Sequence, residues 1–143
     1  MIAQAVATAR AAGVTGQILV RGDSAYGNSA VVSACRRAGA RFSLVLTKTA
    51  ALTAAIEQID QDAWVPVNYP GAVRDPDTGA WISDAEVAET TYTAFTSTKT
   101  PITARLVVRR VKDARMADGL FPVWRYHPFF TDIDLPVDQA DIT

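Results

Sequence analysis

The chain has 143 residues, 49% of them hydrophobic and 20% charged, with a net charge of −1 and a pI near 5.7. That length and balance suit one globular domain, or a domain with an excursion, and argue against disorder. The overall charge carries no electrostatic signature of nucleic-acid binding, no apolar run nears the roughly 18 residues of a membrane span, and a single cysteine, Cys35, excludes an intrachain disulfide.

Met1-Ile2-Ala3-Gln4 lacks the basic and apolar regions of a signal peptide, so the expected location is cytoplasmic with no membrane association. Ile2 to Ala12 is alanine-rich, with Ile2, Val6 and Ala9 at helical spacing and Gly13 as a stop, which predicts a helix. Next comes Gln17-Ile18-Leu19-Val20-Arg21-Gly22-Asp23-Ser24, whose short apolar run suits a strand covered on both faces. Such a strand delivers Asp23 to its carboxyl end, where open α/β sheets place their ligands.

Ser24 to Ser29 reads as a loop with helix-capping residues, and Val31, Val32, Cys35 and Ala38 form the apolar stripe of a second helix ending at Gly39. Cys35 on that stripe is a packing residue. Arg41 to Thr47 is the next strand, and Leu52, Ile56 and Ile59 mark a third helix starting near Thr49. This α-β-α-β-α alternation predicts an α/β layer with a parallel strand pair. Two strands make a poor sheet, so the remaining strands are expected elsewhere.

Beyond Asp62 the texture changes. Trp64 to Tyr69 looks like a strand, Pro70 to Gly79 like a turn region, and Glu86 to Phe95, Ile102 to Val111 and Trp124 to Thr131 like strands of an antiparallel excursion. Trp64, Trp81 and Trp124 are expected in its core. Asp132 to Thr143, acidic and poor in apolar residues, reads as a loop. The expected divisions are therefore an α/β segment over 1–62, a β-rich segment over 63–131 and a tail over 132–143, giving an α+β chain overall.

Charge is unevenly distributed. Ala50 to Thr98 holds eight acidic residues and one basic, whereas Lys99 to Arg115 holds six basic residues and one acidic. Arg105, Arg109, Arg110 and Lys112 are candidates for contact with a DNA backbone, which needs cations of this kind. The competing reading is a strand pairing with the acidic segment. In a regular strand Arg105 and Arg109 share one face and Arg110 and Lys112 the other, so the four do not form one stripe. His127, the single histidine, excludes a multi-histidine metal site within the chain and suits a hydrogen-bonded structural role. From the residues alone, Asp23 suits a turn or cap as well as a metal ligand.

Val20-Arg21-Gly22-Asp23-Ser24-Ala25-Tyr26, followed by Val31 to Phe42, resembles insertion-sequence transposases of the DDE type. Trp81 to Glu89, Tyr92 to Ser97, Ala104 to Val111 and Trp124-Arg125-Tyr126-His127 continue the resemblance in order, over nearly the whole chain. The resemblance implies a ribonuclease H-like α/β layer, here partial, with an antiparallel β-rich insertion. It makes Asp23 the second aspartate of the catalytic triad and a metal ligand, and Trp64 to Thr131 the inserted region. The first aspartate is then expected upstream of Met1 and the glutamate downstream of Thr143, because Asp134, Asp138 and Asp141 sit in the wrong context.

The implied chemistry is attack on a phosphodiester by water or a DNA 3′-hydroxyl, with Mg²⁺, or Mn²⁺ in its place, bound by carboxylates. One carboxylate does not hold two metals, so this polypeptide alone is expected to be inactive. DNA is the implied partner, and exposed sheet edges favour a homo-oligomer. The alternative is a non-catalytic module or remnant that binds DNA or protein.

Overall fold

The computed structural model describes residues 1–67, 73–74, 76–77, 81–82, 85–112 and 123–142, with the backbone alone at 73–74, 81–82 and 142. Helix α1 (Ile2–Ala11) is followed by strand β1 (Leu19–Gly22), helix α2 (Ser29–Ala38), strand β2 (Arg41–Val45) and helix α3 (Ala50–Glu57). The alternation read from the sequence is therefore observed, with β1 starting one residue after Ile18. Asn28 accepts a hydrogen bond from Val31 N–H and caps α2, Gly39 closes it with φ of 73°, and Thr49 caps α3 by accepting from Leu52 N–H.

Strands β3 (Val65–Pro66), β4 (Val73–Arg74), β5 (Trp81–Ile82), β6 (Ala85–Ala94), β7 (Ile102–Lys112) and β8 (Trp124–Thr131) follow, then a last helix, α4 (Val137–Ile142). Six strands form one sheet in the order β1-β2-β8-β7-β6-β3, and β4 and β5 form a separate antiparallel pair. Only β1 and β2 run parallel; β2 and β8, β8 and β7, β7 and β6, and β6 and β3 are antiparallel. The fold is α+β. The strands missing from the β1–β2 pair are supplied by the second half of this chain: Ser43, Leu44 and Val45 stand opposite Thr131, Phe130 and Phe129.

Two apolar layers flank the sheet. The larger joins Val6, Val32, Cys35, Leu52 and Ile56 of α1 to α3 to Phe42, Leu44, Leu106, Val108 and Phe130 of the strands. Phe130 sits at its centre, fully buried, with ring centroids 5.7 Å from Phe42, 6.3 Å from Tyr92 and 6.0 Å from Phe95. The smaller layer lies on the opposite face, where Ile133 and Ala140 cover Val87 and Val107, with Leu135 and Val137 at its margin.

The segment expected to be a loop, Asp132 to Thr143, is thus corrected: it folds back and ends in α4. Pro136 starts that helix, its carbonyl accepting from Gln139 and Ala140 N–H, and the apolar residues at 133, 135, 137 and 140 find the uncovered face of the sheet. Most of the turn region Pro70 to Gly79, the end of the Trp64–Tyr69 strand, the side chain of Trp81 and the end of the basic segment, Arg115, lie outside the described residues. Trp64 is buried as expected, and Trp124 is half-buried. Among the described residues, no helix is long and apolar enough to cross a membrane.

Candidate active site

Asp23 follows the last residue of β1 and opens the β1–α2 loop. Its Oδ1 accepts from Ala25 N–H at 3.0 Å and its carbonyl from Tyr26 N–H at 3.0 Å, a side-chain turn followed by a backbone turn. Asn28 N–H then donates to the Tyr26 carbonyl at 2.9 Å, and Asn28 starts α2, so the loop is held at both ends. Gly27 lies against β2: a Cβ there would collide with the Val45 carbonyl oxygen. Close approach of backbone to backbone therefore requires glycine at this position. Asp23 itself is exposed, as are Ser24 and Tyr26, the latter at 48%.

A carboxylate presented this way can accept hydrogen bonds or bind a hard cation. Among the described residues, however, no three His, Cys, Asp or Glu side chains gather where a metal could sit. The residues present thus supply one oxygen ligand, which falls short of a site for a pair of divalent ions.

The basic residues of β7 are placed differently. Arg105 donates from Nε to Glu89 Oε2 at 2.6 Å and from a terminal nitrogen to the Ile133 carbonyl. Arg109 holds Asp141 of α4 with both Nε and Nη2, the Nε–Oδ2 distance being 2.9 Å, and the Asp141 side chain is completely buried. Arg110, on the opposite face of β7, pairs with Glu86 at 2.7 Å and donates to Gln61 at 3.1 Å. Its guanidinium also lies between two indoles, 4.1 Å from the Trp64 ring and 4.2 Å from that of Trp124. Lys112 reaches the same Trp124 ring at 5.7 Å and is exposed.

The alternation of these four residues across β7 agrees with the parity read from sequence, and Glu89 and Glu86 tie two of them, Arg105 and Arg110, to the acidic segment. The four are not brought together with Asp23: β8 and β2 lie between β7 and β1. Sequence reasoning did not find Asp141 as the partner of Arg109, since 32 residues separate them and no local pattern links them.

His127 is exposed on β8, opposite Arg109 in register, rather than packed into the core. Cys35 is fully buried. Burial pushes its thiol pKa up, and the negative charge of Asp132 adds to that shift.

With this geometry in place, the comparison with protein families is informative. The model of the family described as transposase DDE domain group 1 matches residues 1–130. A search of curated proteins finds no match.

Proposed function

This chain belongs to the transposase DDE domain group 1 family, and from that premise we propose that it forms part of a domain that cleaves DNA and transfers its strands. Transposases act on DNA, and those of the DDE type use divalent metal ions. In this reading β1, α2 and β2 belong to a ribonuclease H-like layer, and β3 to β8 are its inserted strands. Asp23 is the catalytic carboxylate that this chain contributes, and Mg²⁺ is the metal it helps hold. The observation that carries the assignment is the presentation of Asp23: exposed, just past the end of a parallel strand, on a loop pinned against β2 by Gly27.

One carboxylate neither fixes nor neutralises a pair of Mg²⁺ ions, so the polypeptide by itself is inactive on this reading. The remaining ligands must come from outside the described residues. The roles expected for Arg105, Arg109 and Arg110 change as well. Their charges are engaged within the chain, which supports their acting on DNA only indirectly, by holding α4 and the β3–β6–β7–β8 strands in place; Lys112 is the exposed member of the set.

The test is strand transfer by an active transposase that carries this sequence in its catalytic domain. Asp23→Ala abolishes activity, by at least about a thousandfold, while the melting temperature stays that of the parent; retained strand transfer rejects the assignment. That no three metal-ligating side chains gather among the described residues also favours a second reading, a non-catalytic DNA-binding module. That reading requires DNA affinity in this chain that neither Mg²⁺ nor Asp23→Ala alters.

A further inference from the structure

Strand β6 is an end of the sheet for most of its length. On the side away from β7 its partner is β3, which stands opposite Glu86 and Val87 and goes no further. From Ala88 to Ala94 no strand lies beside β6 on that side among the described residues.

We propose that this edge pairs with the same edge of a second copy of the chain, about a two-fold axis at Tyr92, so that two sheets join into one. The pairing involves neither Asp23 nor DNA and is independent of the transposase reading.

Backbone phase is the first argument. Val67 N–H donates to the Ala85 carbonyl, so by the two-residue period of a strand Glu89, Thr91 and Thr93 turn their N–H and C=O groups away from β7. Thr90 and Tyr92, in the other phase, turn theirs toward β7. With Tyr92 of one copy opposite Tyr92 of the other, Thr91 meets Thr93 of the second copy and Thr93 meets its Thr91. Two such pairs exchange four backbone hydrogen bonds.

The side chains supply the second argument. Strand edges are commonly protected by proline, by lysine or by a bulge. Thr90-Thr91-Tyr92-Thr93-Ala94 holds neither residue, and β6 pairs with β7 one to one from Ala85 to Ala94, so no bulge interrupts it. Its β-branched and aromatic residues favour a strand. Glu89 is held by Arg105 at 2.6 Å. Thr91 and Thr93 are exposed, and the Thr93 and Thr103 hydroxyls already share a hydrogen bond of 2.7 Å across the β6–β7 pair. The Thr91 hydroxyl can make the same cross-strand contact with Thr93 of the second copy.

The two ends of the edge are the third. Phe95 has φ of 62°, which turns the chain out of the strand direction just past Ala94. Ala94 lies opposite Thr90 of the second copy, so the β6–β7 turn of each copy comes to the segment that leads into β3 of the other. That turn, 95–101, carries Lys99 as its one charge, whereas 57–65 carries Glu57, Asp60 and Asp62 and no cation. All four are exposed, so opposite charges meet at both ends of the contact.

The test is amide exchange of the whole chain, read residue by residue at low and high protein concentration, with sedimentation velocity alongside. A monomer gives way to a dimer as concentration rises. The Thr91 and Thr93 amides exchange freely in the monomer and slow by about tenfold or more in the dimer, while those of Thr90 and Tyr92, held by β7, are slow in both. Thr91→Pro with Thr93→Pro removes two outward donors that the β6–β7 ladder does not use, and raises the dissociation constant by about thirtyfold or more. Thr91→Lys with Thr93→Lys keeps both N–H groups, sets like charges across the axis and weakens the dimer as well, which reads the contact even where proline disturbs the strand.

A chain that stays monomeric at every concentration, a dimer whose Thr91 and Thr93 amides still exchange freely, or a dimer that neither variant weakens overturns the assignment. Growth into open-ended assemblies overturns it too, because a two-fold contact closes on itself.

Discussion

The parallel corner of the sheet and its antiparallel bulk use charged side chains in opposite ways. At the end of β1, Asp23 faces solvent, and its Oδ1 accepts from a backbone N–H two residues on. In β6 and β7 the three arginines are instead paired within the fold: Arg105 on Glu89, Arg110 on Glu86 between two indoles, and Arg109 on a completely buried Asp141 of α4. A run of arginines in a strand thus marks a surface only when its partners are absent, and here the partners are built into the fold. The carboxylate open to solvent lies instead at a strand end, at Asp23.

The comparison breaks down first if the two regions are separable. Phe130 joins them, standing opposite Leu44 of the parallel corner and Leu106 of the bulk. Phe130→Ala is expected to cost about 3–5 kcal/mol, with both regions lost in one transition. Circular dichroism and amide exchange read this together; a corner that keeps its protection after the bulk has melted would show two units.

The next largest effect sharpens the contrast. Arg109→Ala leaves Asp141 buried without its partner. Breaking a buried pair costs about 3–5 kcal/mol, and the 31% exposure of the Arg109 side chain reduces the expectation to about 2–3 kcal/mol. Denaturant unfolding measures it, and rapid amide exchange confined to α4 identifies the element released.

The smallest effect concerns Cys35. Its folded pKa is raised, so as pH climbs past the ordinary thiol value the unfolded chain gives up its proton first and the folded state loses stability. Stability is therefore flat at neutral pH and declines in alkali, more gently in Cys35→Ala. A thiol reagent at pH 8 labels the native protein only as fast as it opens.

Much of the fold was legible because local patterns carried it. The apolar run ending at Asp23, the helical stripe through Val32 and Cys35 and the long alternating strand around Leu106 and Val108 each depend on near neighbours and on burial. The tail was not legible in the same way. Its four acidic residues are interspersed with its apolar ones, and its helix depends on Ile133 and Ala140 reaching the far face of the sheet and on Asp141 reaching Arg109. Pro136 at the start of α4 was the one local signal.

The site was half legible. Asp23 could be placed at a strand end from sequence, but whether Arg105, Arg109 and Arg110 faced solvent depended on partners distant in the chain.

The most direct test of the division between inward and outward charge is a side-by-side thermal melt of Asp23→Ala and Arg109→Ala. Asp23→Ala is expected to melt within about 2 °C of the wild type, since it loses one exposed hydrogen bond. Arg109→Ala is expected to fall by about 5–10 °C. A large loss in Asp23→Ala with Arg109→Ala unchanged would contradict the account, making the aspartate part of the scaffold and the arginine free to serve elsewhere.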